Sequence, residues 1–322
     1  MKAYVYGADG AEITDVAKPA PKGTQVLVRV RACGLNRADL GMTKGHAHGS
    51  AGGAGTVLGM EWAGEVAELG PDANGVKVGD KIMGSGSAAF AEYTLADHGR
   101  LFRTPSNMNF EDAATLPVAL TTMHNAVVTN GALQPGQSVL IQGASSGVGL
   151  MAMQIARLKG ASIVIGSSTD AVRRGRLKQF GADLAVDSSD PGWVDQVLQA
   201  TGGEGVDLIV DQVSGKVASQ NLAAAKIKGR IVNVGRLGGT HADFNFDLHA
   251  ARRISYIGVT FRTRSIEEIR DIFSEVRNDI WAAVESRKLQ LPIDKVFAFD
   301  DIGKAFEHME ANRHLGKIVV TM

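Results

Sequence analysis

The stretch VLIQGASSGVGLMAMQIARLKGASIVIGSS, residues 139–168, decides the fold of this chain. Apolar residues typical of a buried strand lead into a turn of glycine and serine, and a helical pattern follows at once. Small residues let such a turn close on a phosphate, and free N–H groups and the helix dipole attract its negative charge. A second strand ends about 20 residues further on, as a dinucleotide site requires. We expect Ser145, Ser146, Gly147 and Val148 to bind that dinucleotide.

The end of the second strand indicates which dinucleotide is bound. An NAD site usually places Asp or Glu there to accept a hydrogen bond from the ribose 2′-OH. Here Ser167 and Ser168 stand at that point, and Arg173 and Arg174 follow. Hydroxyl and guanidinium groups suit a 2′-phosphate, which favours NADP(H). Asp170, a few residues past the strand, keeps NAD open, and the alternative for the two arginines is a solvated helix face.

Strands and helices alternate through the rest of this region. The apolar runs ASIVIG (161–166), DLAVD (183–187), DLIVD (207–211) and GRIVNVG (229–235) are separated by amphipathic segments. This pattern predicts βαβ crossovers and a parallel sheet covered on both faces. Before it, the chain is typical of short strands and turns.

Helical spacing also occurs outside the alternating region. It predicts helices over residues 111–130, 265–286 and 301–311, with a last strand at KIVVTM, residues 317–322.

Composition narrows the class of protein. The chain has 322 residues, enough for two domains, and 34 basic residues balance 34 acidic ones. That balance gives no support to nucleic-acid binding. The single cysteine, Cys33, excludes an internal disulfide and a four-thiolate zinc site. We find no signal peptide and no membrane span, so a cytoplasmic protein is expected.

Together, several motifs resemble the zinc-free quinone oxidoreductases of the medium-chain dehydrogenase/reductase superfamily over nearly the whole chain. The motifs are CGLNRADL (33–40), LGMEWAGEVAELG (58–70), VGDKIMG (78–84), LPVALTT (116–122), GASSGVG (143–149), IVNVGRLGG (231–239), IGVTFRTR (257–264) and ANRHLGKIVV (311–320).

This resemblance implies an α/β protein with two domains. A doubly wound Rossmann-type domain at residues 123–262 would bind NADP(H). A discontinuous, mostly β, GroES-like catalytic domain would comprise residues 1–122 and 263–322, with substrate entering the cleft between the domains. The resemblance also implies a homodimer in which the edge strand IGVTF, residues 257–261, pairs across a two-fold axis, because an exposed apolar edge is unfavourable.

The same comparison predicts that no metal is bound. Zinc-dependent relatives have a thiolate in the segment matching residues 33–39 and a His–Glu pair after a glycine. This chain has Asn36 at the first point and Met60 before Glu61 at the second. Zinc needs three or four N, S or O ligands, and a methionine thioether is a poor substitute. Cys33 is expected to be a buried packing residue.

By resemblance, Asn36, Asp39 and Thr121 lie near the nicotinamide, and Asn36 could donate to a carbonyl oxygen. The alternatives are a turn closed by Asn36 and Asp39, and a Thr121 hydroxyl bonded to its own helix. The remaining residues expected at the cofactor are Gly235, Phe261, Arg262, Asn312 and Lys317, although Lys317 could be a surface charge instead.

The expected reaction is hydride transfer from NADPH to a quinone or an α,β-unsaturated carbonyl (enone). One departure leaves the substrate open: close relatives often have a tyrosine and prolines where this chain has the glycine-rich loop at 45–55, with His46 and His48 as candidate proton donors. A zinc-free alcohol dehydrogenase or carbonyl reductase, which reduces C=O, is one alternative. A non-catalytic NADPH-binding structural or regulatory protein is another.

Overall fold

The computed structural model of the protein describes residues 1–47 and 52–322. These residues form two compact units. The first unit is Met1–Thr121 together with Phe261–Met322, and the second is Thr122–Thr260.

The strands of the first unit come from both ends of the chain and those of the second unit from its middle. In chain order the strands are β1 Lys2–Gly7, β2 Gly10–Asp15, β3 Gln25–Gly34, β4 Thr56–Val57, β5 Glu61–Leu69, β6 Lys81–Ser85, β7 Tyr93–Asp97, β8 Leu101–Arg103, β9 Ser138–Gln142, β10 Ile163–Ser167, β11 Leu184–Val186, β12 Val206–Asp211, β13 Ala225–Asn233, β14 Ser255–Gly258, β15 Ile293–Ala298 and β16 Lys317–Thr321.

Most helices are short. They are α1 Arg37–Met42, α2 Phe110–Ala113, α3 Pro117–His124, α4 Gly147–Leu158, α5 Ala171–Arg176, α6 Trp193–Ala200, α7 Ala218–Ala224, α8 Phe246–Arg252, α9 Ile266–Asp279, α10 Trp281–Glu285 and α11 Ile302–Glu310. Single turns of 3₁₀-helix lie at His98–Arg100, Leu177–Phe180, Gly215–Val217 and Phe299–Asp301, and a π-helical segment at Asn125–Asn130.

The second unit contains a parallel sheet of six strands in the order β11-β10-β9-β12-β13-β14. Its central strand β9 is buried along its whole length, as the continuous apolar run predicts for a sheet covered on both faces. The chain continues from β9 to β10 and β11 on one side of the sheet and then to β12, β13 and β14 on the other side. Because β9 and β10 are adjacent and parallel, their carboxyl ends both lie beside the glycine-rich turn. The α/β fold expected from the sequence is confirmed.

The first unit is built mainly from antiparallel strands. Its larger sheet has the order β15-β16-β3-β5-β6-β8, with β7 paired to β3, and a smaller sheet has the order β2-β1-β4. Only β15 and β16 pair in parallel in the described part of this unit, and α11 connects them. The core between these elements contains Trp62, Phe90 and Phe306 among its large side chains. The Phe306 ring stacks on Tyr4 at 5.7 Å between ring centroids.

Three elements differ from the sequence prediction. The helical pattern over 111–130 is split into α2, α3 and the π-helical segment, because Pro117 has no N–H to continue a helix and begins a new one. The pattern over 265–286 is divided at Ile280, whose φ of −125° is not helical. The edge strand expected at 257–261 is Ser255–Gly258, because the β13 ladder ends at Asn233 opposite Gly258.

Within the described residues, no helix is both long and apolar enough to cross a membrane.

Candidate active site and cofactor-binding turn

The glycine-rich turn between β9 and α4 is held by its own side chains and by close packing. Ser146 is the N-cap of α4, and its Oγ accepts a hydrogen bond from the Gly149 N–H at 3.1 Å. A Cβ on Gly149 would lie 2.6 Å from the Gly143 oxygen and from the Ala144 Cα. Only glycine therefore lets the first turn of α4 pack on this turn, at the positive end of the helix dipole.

Two of the predicted cofactor contacts meet beside this turn. The Ser168 Oγ, which follows β10, lies 3.0 Å from the Ser145 Oγ. Ser168 is 5% exposed and Ser145 is half-buried. The hydrogen bond between the two hydroxyls connects the glycine-rich turn to the end of β10.

Asp170, which left NAD open in the sequence, is engaged with its own helix. Its Oδ1 accepts a hydrogen bond from the Arg173 N–H at 2.8 Å and caps α5. This hydrogen bond lowers the pKa of Asp170 below its ordinary value. The Arg173 Nε lies 3.6 Å from the same oxygen. Arg174 donates to the Ser168 carbonyl at 2.8 Å and to Asp187 at 2.9 Å, so its guanidinium ties the strand end to the next loop.

Ser167 does not join the Ser145–Ser168 pair. It is fully buried, donates to the Gln142 Oε1 at 2.6 Å and accepts from the Gly143 N–H at 3.0 Å. The structure therefore places this predicted cofactor contact under the turn. Gly235 follows β13, where a Cβ would lie 2.6 Å from the Gln212 carbonyl oxygen, so glycine allows the ends of two strands to meet.

In the first unit, a buried ion pair organises the predicted catalytic residues. Glu61 begins β5 and is fully buried. Its Oε1 accepts from the Lys317 Nζ and from the Asn36 Nδ2, the latter at 2.8 Å. Its Oε2 accepts from the Val118 N–H at 3.0 Å, at the start of α3. One carboxylate therefore holds residues from three distant parts of the chain.

Asn36 and Lys317 also contact each other. The Lys317 Nζ donates to the Asn36 Oδ1 at 3.0 Å, and the Lys317 side chain is 5% exposed. Lys317 is thus a buried partner of Glu61, which excludes the alternative of a surface charge. Sequence reasoning missed Glu61 as the centre of this cluster. The sequence did contain a signal for it: Glu61 and Lys317, which carry opposite charges, each begin an apolar strand. A charge in a buried strand needs a partner of opposite charge.

Asp39 lies in α1 directly below this cluster. Its Oδ2 accepts from the backbone N–H of Asn36, the N-cap of α1, at 2.8 Å. The turn that begins α1 and the predicted site therefore share these two residues. Its Oδ1 is buried without a hydrogen-bond partner among the residues described. Burial raises the pKa of Asp39 to about 7, although the Asn36 N–H and the charge of Lys317 act in the opposite direction.

Thr121 and Cys33 make local contacts. The Thr121 hydroxyl donates to the Pro117 carbonyl at 2.7 Å, one turn back in α3, which is the alternative stated for it above. The Cys33 thiol donates to the Ala89 carbonyl at 2.9 Å. Burial raises the pKa of this thiol well above its ordinary value, so Cys33 is not a reactive thiolate.

The remaining predicted residues lie on the surface of the first unit. The Phe261 ring lies 5.8 Å from the Arg264 guanidinium, and Arg262 is exposed. The Asn312 Oδ1 accepts from Arg37 at 2.8 Å. His46 is exposed, and His48 lies outside the described residues.

The donor set around Asn36 does not suit zinc. The Asn36 Oδ1, the amide atom that could bind a metal, accepts from the Lys317 ammonium, Met60 offers only a thioether, and the Glu61 carboxylate is paired with the same ammonium. Within residues 1–47 and 52–322, no group of three or more His, Cys, Asp and Glu side chains could hold a metal ion.

Comparison with known proteins identifies the family. Residues 22–106 match the alcohol dehydrogenase GroES-like domain, and residues 147–277 match the zinc-binding dehydrogenase family. Quinone oxidoreductase-like protein 2 of Mus musculus is 31% identical over 96% of this chain and 88% of that protein. The chain belongs to the quinone oxidoreductase branch of the medium-chain dehydrogenase/reductase superfamily. The resemblance seen in the sequence is confirmed.

Other members of the family widen the range of reactions to consider. Erythronolide synthase EryA2 of Saccharopolyspora erythraea is 30% identical over 97% of this chain, which spans only 8% of that protein. The crystal structure of CurK enoyl reductase is 26% identical, with a TM-score of 0.88 over 100% of this chain and 99% of that one. The chain therefore belongs to a family whose members include proteins named quinone oxidoreductase and enoyl reductase.

The ion pair between Lys317 and Glu61 leads to a stability prediction. Lys317→Met leaves a fully buried carboxylate without its positive partner, so we expect the free energy of unfolding to fall by about 3–5 kcal/mol in urea titrations. The matched control is Lys304→Met, which removes the ammonium from an exposed pair with Asp301. It should change little, because water screens that pair. Equal losses in both variants would refute the role given to Glu61.

Asp39 predicts a pH dependence of stability. An Asp carboxyl in the unfolded chain has a pKa of about 3.9, whereas burial raises the pKa of Asp39 in the folded protein to about 7. Between these two pKa values the folded protein retains a proton that the unfolded chain has lost. The contribution of Asp39 to the free energy of unfolding therefore falls as the pH rises through this window. Asp39→Asn should remove that dependence. We expect the melting temperature of the variant, relative to wild type, to be higher at about pH 8 than at about pH 5; a constant difference would contradict the assignment.

Proposed function

We propose that this protein is an NADPH-dependent, zinc-independent oxidoreductase that transfers hydride to a quinone or an α,β-unsaturated carbonyl. The observation that carries the choice of cofactor is the Ser145–Ser168 hydroxyl pair beside the glycine-rich turn. The nearest acidic residue, Asp170, caps its own helix. The strand end thus offers hydroxyl groups and the nearby cation of Arg173 to a 2′-phosphate.

The residues that would hold the dinucleotide form two groups. Ser146, Gly147 and Val148 begin α4 and would bind the pyrophosphate through their N–H groups and the helix dipole. Ser145, Ser168 and Arg173 would bind the 2′-phosphate, and Arg174 would hold the loop that presents Ser168. When bound, NADPH supplies the hydride.

On the substrate side, we assign the polarisation of a carbonyl oxygen to Asn36 and Lys317. An ammonium has three N–H donors, and Glu61 and Asn36 accept two of those of Lys317. Glu61 keeps both side chains in place, and Asp39 orients Asn36 through its backbone N–H. A fixed cation near a developing oxyanion can replace the Lewis acid of a metal enzyme. Thr121, Gly235, Phe261, Arg262 and Asn312 remain predicted cofactor contacts.

The proposed ligands are small molecules and not nucleic acid, since acidic and basic residues balance at 34 each. A cytoplasmic location remains a prediction.

Purified protein tests this function directly. We expect NADPH to raise the melting temperature and to be oxidised with enones or quinones, with a lower Kd than NADH. Turnover of simple ketones alone would favour the carbonyl reductase alternative. Tight NADPH binding without turnover on ketones, enones or quinones would favour the non-catalytic alternative. A protein that binds no nicotinamide dinucleotide would refute the proposal altogether.

We also propose a homodimer formed through β14, the edge strand of the six-stranded sheet. Tyr256 on this strand is 37% exposed, and an exposed strand edge favours pairing with another chain. Tyr256→Lys should reduce the dimer seen by sedimentation velocity. Val172→Lys, which changes an apolar and more exposed residue on α5, should leave it intact. A monomeric wild type would refute this assembly.

A further inference from the structure

A chain of buried hydrogen bonds connects Asp211, at the end of β12, to the glycine-rich turn. The Asp211 Oδ2 accepts from the Asn221 Nδ2 at 2.9 Å, and the Asn221 Oδ1 accepts from the Gln142 Nε2 at 2.9 Å. The Gln142 Oε1 accepts from Ser167 at 2.6 Å, and Ser167 accepts from the Gly143 N–H at 3.0 Å. All four side chains are fully buried.

Asp211 determines the direction of every bond in this chain. Its Oδ1 already accepts the N–H groups of Val213 and Ser214, at 2.8 and 2.9 Å. Burial raises the pKa of Asp211, whereas the hydrogen bonds from Ser214, Val213 and Asn221 act in the opposite direction. As a carboxylate, Asp211 only accepts hydrogen bonds, so Asn221 must present its NH₂ group to it. The Asn221 oxygen then faces Gln142, which must turn its own NH₂ towards Asn221.

The direction reaches the turn through Gln142 and Ser167. The Gln142 oxygen faces Ser167, so the Ser167 hydroxyl donates its hydrogen to that oxygen. The Ser167 oxygen then accepts a hydrogen bond from the Gly143 N–H. Without the Asp211 carboxylate, which only accepts hydrogen bonds, the Asn221 and Gln142 amides could exchange their O and NH₂ positions. The Gln142 NH₂ group would then face Ser167, and the Ser167 hydrogen would lose its acceptor. Unpaired buried polar groups are costly, so the chain has one stable orientation.

Gln212, the residue that follows β12, supports the same turn separately. The Gln212 Oε1 lies 2.8 Å from the Ser146 Oγ, the N-cap of α4, and the Gln212 Nε2 donates to the Gln142 carbonyl at 3.3 Å. Gln212 therefore contacts both the last residue of β9, directly before the turn, and the residue that caps the following helix.

We propose that Asp211 and Asn221 are positioning residues for dinucleotide binding. They set the hydrogen-bond direction by which Ser167, beneath the glycine-rich turn, holds the N–H group of Gly143, the first residue of that turn. This inference rests on the proposed function. It assigns the Ser167 hydroxyl to the turn, while Ser168 and Ser145 remain for the 2′-phosphate. Since the turn would bind the pyrophosphate common to both cofactors, disrupting the chain should weaken NADPH and NADH equally.

Exchanging the two residues provides a sharp test. Asp211→Asn either places two amide NH₂ groups face to face or reverses the row of amides, which leaves the Ser167 hydrogen without its acceptor. Asn221→Asp places two carboxylates together. We expect each to raise the Kd for NADPH and for NADH by about tenfold, with KM raised and kcat little changed. The double exchange restores a donor and an acceptor between the two positions, so its Kd should return to within about threefold of wild type.

Two further variants separate positioning from general stability and from direct contact. Asp207→Asn alters a carboxylate near the other end of β12, where Asp207 accepts from Ser138. It should lower stability without changing either Kd. Ser167→Ala should weaken both dinucleotides equally, whereas a hydroxyl that touched the 2′-phosphate would weaken NADPH alone.

The inference is overturned if the folded single variants bind both dinucleotides as wild type does. It is also overturned if the double exchange binds as weakly as the single variants, or if Ser167→Ala affects NADPH only. If the single variants do not fold, Ser167→Ala and the double exchange decide the question. A wild-type protein that binds neither dinucleotide would overturn the proposed function itself, which is a different result.

Discussion

A carboxylate removed from water must receive a positive charge or several hydrogen bonds, and this constraint shapes both units of the protein. In the first unit, Glu61 is fully buried and is neutralised by Lys317. In the second unit, Asp211 is buried and accepts three hydrogen bonds. Each carboxylate draws residues that are distant in sequence into one arrangement.

The two carboxylates have different consequences because their partners differ. Glu61 binds an ammonium and an amide, so it concentrates donor groups where the proposed reaction needs a stabilised oxyanion. Asp211 binds only neutral groups and passes an orientation along a row of amides to a hydroxyl. The first arrangement supplies hydrogen-bond donors, whereas the second orients a turn whose glycines give it little rigidity of its own.

Short-range patterns were enough to predict the parallel sheet and the glycine-rich turn. The apolar run, the glycine-rich turn and the helix at 139–158 are adjacent in sequence, and local geometry leaves few other ways to fold them. The sequence also indicated Asn36, Asp39 and Lys317. It did not reveal that Asn36 and Lys317 contact each other, because they are 281 residues apart. Nor could it separate Ser167 from Ser168, since adjacent strand residues face opposite sides and the side that faces the turn depends on neighbouring strands.

The sequence by itself therefore determined the family, the parallel sheet and the location of the glycine-rich turn, because these depend on residue type and spacing within a few tens of residues. Only the tertiary structure decided which serine lies under the turn and which carboxylate holds Lys317. It also showed that the end of β12 supports the start of α4. The physical reason is that buried polar groups are satisfied by whichever partner the folded chain brings within about 3 Å, and sequence spacing does not set that distance.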